Sequence, residues 1–446
     1  MGSGSASLVR AKRDRAFVNW GRNQRCLPVE WRSPTSTTEV AEIVAGAAAR
    51  GERVKVVGAG HSFTAAACTD GVLLSLDHLD QLTDHDPDTR EVTVGAGIRL
   101  SALNEALHAL GLAMPNLGDI AYQSLAGATA TATHGTGVSL GNLSTNIVGF
   151  EIVTGTGDVM WCDATSNPDV FTAGRVSIGA LGIITRIRLR CVPSFVLRAA
   201  EGAERLDDVL DDWDGFVASA RHAEFFHFFG ARTAFTKRNE PTDEAEQPPT
   251  RLQFSLEKDL AENGAFEVAN RIVRRFPSQR KRMLGLIGKA TSSREVVDRS
   301  YRVFASPRRV RFVEMEYGLP FDAVPEAVQR VRAMAADLDR TPLFPIEVRA
   351  SAADDIPLST AEGRRSGWIA VHQYIGIPFG DYFRAVEAIM DDYEGRPHWG
   401  KMHGQTHDVL RERYPRWDEF AKVRSVLDPQ GVFRNDYLDR VLGPVI

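Results

Sequence analysis

Apolar and polar positions change their spacing near residue 193, and the change divides the chain. Before that point the apolar positions fall in short runs separated by glycine, aspartate and threonine. An alanine-rich stretch at 40–50 predicts a helix, with Pro34-Thr35-Ser36-Thr37-Thr38-Glu39 supplying a cap and an acidic first turn. Short strands are predicted at 53–57, 72–76 and 91–95, then a helix at 100–110 stopped by Gly111. Strands follow at 147–154, 159–162 and 182–191. The last alternates apolar and basic residues, as a half-buried strand does.

Beyond Pro193 the pattern lengthens. Amphipathic helices are predicted at 203–220, 325–338 and 381–393, alternating with strands at 310–317, 344–350 and 368–374. The stretch 240–250, with three prolines and four acids, reads as a surface loop. A chain of 446 residues has room for two domains, each with its own core. The expectation is an α+β protein with one domain over 19–195 and a second over 196–446, a sheet covered by helices. Residues 1–18 read as a disordered leader.

Composition narrows the function classes. The net charge of −5, with acids and bases interspersed, lacks the basic stripe of a nucleic-acid binder. The arginine-rich stretches 274–282 and 308–311 read as solvated faces. Cys26, Cys68, Cys162 and Cys191 show neither metal spacing nor a disulfide framework, which suits a reducing cytoplasm. No apolar run reaches the ~18 residues of a membrane span, and charged residues at 10–15 interrupt any signal-peptide core.

The candidate chemistry begins at Val57-Gly58-Ala59-Gly60-His61-Ser62-Phe63, where a strand runs into a turn with two glycines. Successive amides in such a turn form a nest that suits a pyrophosphate. The third glycine of the usual dinucleotide fingerprint is missing. Ser124 to Gly137 is almost free of bulky side chains, as either a close backbone approach to a large flat group or a tight strand-like packing layer requires. Val176 to Thr185 has the same glycine-rich, strand-like character. Glu347 and Arg349 are two apart on a predicted strand, so both project from one face, where a carboxylate and a guanidinium can hold a polyhydroxylated substrate. His372 sits in an apolar strand, as either a core residue or a substrate contact. His398, His403 and His407 have helical spacing but no acidic or cysteine partner nearby, so no metal is expected.

With Glu347-Val348-Arg349 and His398-Trp399-Gly400-Lys401, these segments resemble the vanillyl-alcohol-oxidase superfamily of flavoproteins. Within it the likeness is to the sugar-1,4-lactone oxidoreductases: gulonolactone oxidases and dehydrogenases, arabinonolactone oxidases and the related alditol oxidases. The resemblance runs from about Asn19 to the C-terminus. It implies an FAD-binding domain followed by a substrate-covering domain with a helix-covered antiparallel sheet, whose segment after about 398 returns to the flavin. By resemblance, Val57, Gly58, Ala59, Gly60 and Ser62 cradle the FAD pyrophosphate and His61 bonds covalently to the flavin. Ser124, Gly127, Ala128, Thr131, His134, Gly135, Gly182 and Ile184 line the cofactor. Glu347 and Arg349 face the flavin, His372 touches substrate or accepts its proton, and Lys401, beside His398, lies at the pyrimidine edge.

Gly118 matches the position that gates oxygen. Asp119 departs from the serine that alditol oxidases carry next to it, which weakens the polyol reading. The implied reaction is oxidation of a lactone hydroxyl, with L-gulono-1,4-lactone giving an ascorbate precursor. Electrons pass to O2, cytochrome c or a dye-like carrier.

Overall fold

The computed structural model describes residues 16–248, 264–287, 293–305, 309–336, 338 and 342–445. Most of the expected leader, Pro249 and Thr250 of the proline-rich loop, and Arg308 lie outside the described residues.

The predicted first helix forms at Thr37–Ala49, where the Ser36 side chain accepts the Glu39 amide. Its buried Val40, Val44 and Ala47 pack on a parallel sheet whose strands run Glu30–Arg32, Val72–Ser75, Val54–Val57 in spatial order. A five-stranded antiparallel sheet follows, ordered Val159–Asp163, Ile147–Val153, Ile183–Arg190, Glu91–Gly95, Leu82–Asp86. Val92, Val94, Phe150, Ile152, Ile187 and Leu189 from three of these strands share one core.

The second half builds an eight-stranded antiparallel sheet. Its order is Arg294–Arg299, Val196–Arg205, Thr233–Thr242, His222–His227, Ile346–Ser351, Ser366–Tyr374, Phe312–Pro320, Arg396–Pro397. One face of its central strands is apolar. Val313, Met315, Tyr317, Leu319, Ile346, Val348, Ile369 and Val371 pack with Val324, Val328 and Val331 of helix Val324–Ala336 and with Phe383, Val386 and Met390 of helix Gly380–Asp391. The intervening positions belong to the other face, which carries the charges.

Three local expectations are corrected. The helix predicted at 203–220 starts as strand: Val196–Arg205 pairs along its whole length with Thr233–Thr242, and only then come short helices at Leu206–Asp211 and Trp213–Ala218. Pairing of 203–205 with Thr233–Phe235 overrides a helical composition there. The small-residue run after Ser124 is a short helix, Leu125–Ala130, rather than a strand, and Ser124 caps it. In the stretch 176–185 the strand begins only at Ile183. The residues before it turn through positive φ at Ile178, Gly179 and Gly182.

The C-terminal segment crosses back to the first half. Trp399, Leu410, Trp417, Phe420 and Leu438 join the core that holds Leu100 and Phe150. The Val54 amide donates to the Val432 carbonyl at 2.8 Å. Asn435 caps helix Asp436–Leu442 by accepting the Leu438 amide, while its own amide nitrogen donates to the carbonyls of Ala65, Ala66 and Cys68. Asn435→Ala removes a cap and bonds to three buried or half-buried carbonyls. Urea unfolding is expected to show a loss of about 2–4 kcal/mol; a change under about 0.5 kcal/mol, typical of a neutral surface site, contradicts this role.

Candidate functional site

A cleft with a cavity volume of about 150 Å³, partly open to solvent, runs between the two N-terminal sheets and the C-terminal return. Backbone and small side chains make its walls, because larger ones have no room. A methyl on Gly58 would lie 2.1 Å from the Ser124 hydroxyl, so the glycine turn and the start of helix Leu125–Ala130 touch. Gly60 takes φ of +67°, a conformation that other residues resist. Val57, Gly58, Ala59, Gly60, His61, Ser62, Ser124, Gly127, Thr131, Gly182 and Ile184 all line the cleft. Ala128 does not: it is fully buried in the neighbouring core, one helix face away. Sequence reasoning missed Gly97, Gln123, Ser177, Gly179, Phe433 and Lys55.

Lys55 is the most unusual of these. It is 3% exposed, and its ammonium donates to the carbonyls of Gly179 and Phe433, both at 3.1 Å. Burial, with Arg424 adding repulsion, pushes it down to about 7.

His61 closes one end of the cleft. Its ring stacks on Trp20 at 5.4 Å between centroids and lies near-parallel to Tyr122 at 6.1 Å. Burial, reinforced by Lys401, Arg99 and Arg311, lowers it to about 4, so the imidazole stays neutral and keeps a lone pair. The Phe63 amide donates to the Gly400 carbonyl at 2.7 Å, which ties this end to Lys401.

Beyond His61 lies the charged face of the large sheet. Register aligns Glu347 with Ala370 and Glu316 with Ala370, Arg349 with Trp368, and Glu314 with His372, so all project together. Arg349 donates through Nε to Glu224 at 2.8 Å, and Nη2 meets Asp119 at 2.5 Å and Glu347 more closely still. Lys237 meets Glu224 at 3.5 Å. Burial opposes a guanidinium here, yet Asp119, Glu347 and Glu224 together hold it firmly protonated.

Two glutamates on Phe312–Pro320 organise the rest. Glu314 contacts Lys401 with one oxygen and faces His372 Nε2 at 3.5 Å with the other. Burial resists its ionisation, but Lys401 and His372 hold it at about 2. Glu316 contacts His134 Nε2 at 3.2 Å, and His134 stacks on Trp368 at 3.6 Å. Against burial, His134 and Lys401 hold Glu316 well below the carboxylate range. His398 accepts the Gly400 amide at Nδ1, and burial lowers it to about 3.

The expected proton acceptor, His372, has acceptors at both nitrogens: the Pro345 carbonyl at 3.3 Å from Nδ1 and the Glu314 carboxylate at Nε2. The three spaced histidines also part company: His398 turns to Glu316, His403 bonds Tyr437 and His407 pairs with Asp408. Asp119, Glu224 and Glu347 come close enough to hold a cation, and the Arg349 guanidinium is that cation.

Comparison with known proteins accounts for the arrangement. Residues 187–441 match the D-arabinono-1,4-lactone oxidase family, and residues 31–163 match a family described as an FAD binding domain. The chain belongs to the D-arabinono-1,4-lactone oxidase family. It is 48% identical to an L-gulono-1,4-lactone dehydrogenase of Mycobacterium tuberculosis, over 96% of this chain and 99% of the relative. It is 32% identical to the L-gulonolactone oxidase of Bos taurus, covering 95% and 98%, and 30% identical to an alditol oxidase of Streptomyces, covering 96% and 99%. A solvent-stable cholesterol oxidase shares the fold at a TM-score of 0.80 and 18% identity, covering 95% of this chain and 97% of that one. The α+β fold of the vanillyl-alcohol-oxidase type expected from the sequence is therefore the fold observed.

In this lactone-oxidase family member the inner wall holds residues that the sequence analysis passed over: Glu224, Glu314, Glu316 and Trp368. Acids at 314 and 316, between apolar residues at 313, 315 and 317, were a readable signal. Gly118 and Gly135 sit at the same wall. A methyl on Gly118 would meet the His134 carbonyl at 3.1 Å, and one on Gly135 would lie 2.3 Å from Asn116 Oδ1.

Lys55 gives this site a measurable signature. Its unfolded-state pKa is near 10.4 and its folded one is depressed, so between about pH 7 and 10 the unfolded chain binds one more proton. Stability contributed by this group therefore rises with pH across that window, by up to about 1.4 kcal/mol per unit. Lys55→Met is expected to abolish that rise in urea titrations of the cofactor-free protein. Parallel pH profiles for variant and parent contradict the assignment.

Proposed function

We propose that this protein is an FAD-dependent oxidoreductase that oxidises a ring-carbon hydroxyl of an aldono-1,4-lactone, with L-gulono-1,4-lactone as the leading substrate. The observation that carries this is the junction of cleft and wall: His61 closes a backbone-lined cleft fit for a dinucleotide, and Lys401, Arg349 and Glu347 stand just beyond it. FAD, when bound, supplies the acceptor of the two electrons removed from the C–H bond. Residues 19–195 hold it, and 196–446 cover the substrate, with the segment after about 398 sealing the cleft.

The chain's own residues do the rest. The glycine turn of Gly58 and Gly60 offers backbone amides to the diphosphate. His61, neutral and stacked, is the attachment point for a covalent bond to the flavin. Arg349, held by Asp119, Glu224 and Glu347, presents a fixed positive charge to the oxygen that loses its proton. Glu347 orients substrate hydroxyls. Asp119 belongs to the Arg349 cluster, where a polyol-specific site carries serine, and this favours the lactone over an alditol. Gly118 leaves oxygen a path, and a carrier such as cytochrome c or a dye is the alternative acceptor. The four cysteines are free thiols, and no described helix is long and apolar enough to cross a membrane, which supports a cytoplasmic assignment.

Anaerobic L-gulono-1,4-lactone is expected to bleach the flavin band, and xylitol to leave it coloured. Arg349→Met and Glu347→Gln should slow that bleaching about a hundredfold while leaving the oxidised spectrum intact. Equal bleaching by polyol and lactone would overturn the substrate assignment.

Acid-precipitated protein should stay yellow, and His61→Ala should release its flavin into the supernatant. Wild-type protein that loses its colour in acid rules out the bond at His61.

A further inference from the structure

Lys401 and His372 come from segments far apart in sequence, yet they converge on one carboxylate. Glu314 is 7% exposed and reaches Lys401 with Oε2 and His372 with Oε1. Its backbone carbonyl also accepts the Met402 amide at 2.8 Å, so the same residue anchors the loop that carries Lys401. Phe63 lies under the ammonium at 5.5 Å. Lys401 is further faced by Glu316 on the same strand, Glu347 on Ile346–Ser351, His398 on its own segment and His61 at the cleft end.

A flexible lysine stem has several rotamers, and burial alone disfavours its charge. Of these neighbours, Glu314 alone has both a carboxylate contact and a backbone bond to the Lys401 loop. It was not singled out in the sequence analysis. A glutamate can span both partners because its two oxygens point to opposite sides; a neutral amide offers one acceptor and one donor instead.

We propose that Glu314 is a positioning residue, which holds the Lys401 ammonium and the His372 ring in place beside the reacting centre. Glu314 itself touches neither substrate nor cofactor. This rests on the reading of the site as a flavin site, and the tests below separate the two.

Holoenzyme carrying Glu314→Gln should be reduced by lactone at least about tenfold more slowly, mostly in kcat, as loss of a charge-assisted bond predicts. Glu314→Asp, which keeps the charge, should recover part of the rate. The decisive measurement is a double-mutant cycle: added to Lys401→Met, Glu314→Gln should cost little more than Lys401→Met alone. Sulfite bleaching of the oxidised flavin, which tightens with positive charge beside the ring, supplies a readout independent of turnover. Relative to wild type, its affinity in Glu314→Gln should weaken at a pH at least one unit lower, as Lys401 loses its proton.

Fully multiplicative losses in the cycle, or a sulfite profile identical to wild type, overturn the proposal. A purified protein without flavin absorbance overturns the functional reading, and this one with it. Colour with normal lactone reduction in Glu314→Gln overturns this one alone.

Discussion

Ionised groups taken out of water must meet opposite charge, and this requirement governs the middle of the molecule. Asp119, Glu224, Glu314, Glu316 and Glu347 share one largely enclosed space. Their cationic partners Arg349, Lys401 and Lys237 come from three separate stretches of chain. Removing one member of such a set leaves an uncompensated charge, at a cost of about 3–5 kcal/mol. The large sheet therefore stands in register with the glycine turn and the C-terminal return for electrostatic reasons as much as for hydrophobic ones. Its apolar face, against two helices, needs only volume and shape; its charged face needs particular residues in particular places.

A second constraint is steric and acts on the cleft. Where Gly58 meets Ser124, where Gly97 lies against the Leu76 carbonyl and where Gly182 lies against Val153, a single methyl would overlap its neighbours. The walls are backbone because three turns approach closely at once. Such a cleft presents mainly backbone and small side chains, with Lys55 and His61 among its few titratable lining groups.

Much of this was legible in the sequence, for physical reasons. Glu347 and Arg349 announce their shared face because strand geometry has period two, and the observed strand Ile346–Ser351 differs from the predicted limits by only a residue or two. The glycine turn from Val57 to Ser62 was legible as a turn because a strand runs directly into paired glycines, one of which takes a positive φ. The start of the stretch 203–220 misled because its composition suits a helix while its neighbour in space, Thr233–Thr242, holds residues 203–205 as strand. Ala128 misled because a helix turns alternate small residues away from the cleft. Glu224, Glu314 and Lys55 were missed because their importance lies in partners a long way off in sequence, Arg349, Lys401 and Phe433 among them.

Phe433 and Lys55 meet across the cofactor cleft, and Asn435 fastens the loop at 65–68. The seat for the cofactor thus joins the first eighth of the chain to its last few residues. On the ribosome, the N-terminal sheets emerge long before the turn at Val432 and Phe433 that bonds to Val54 and Lys55, so the cleft gains this part of its wall late in synthesis.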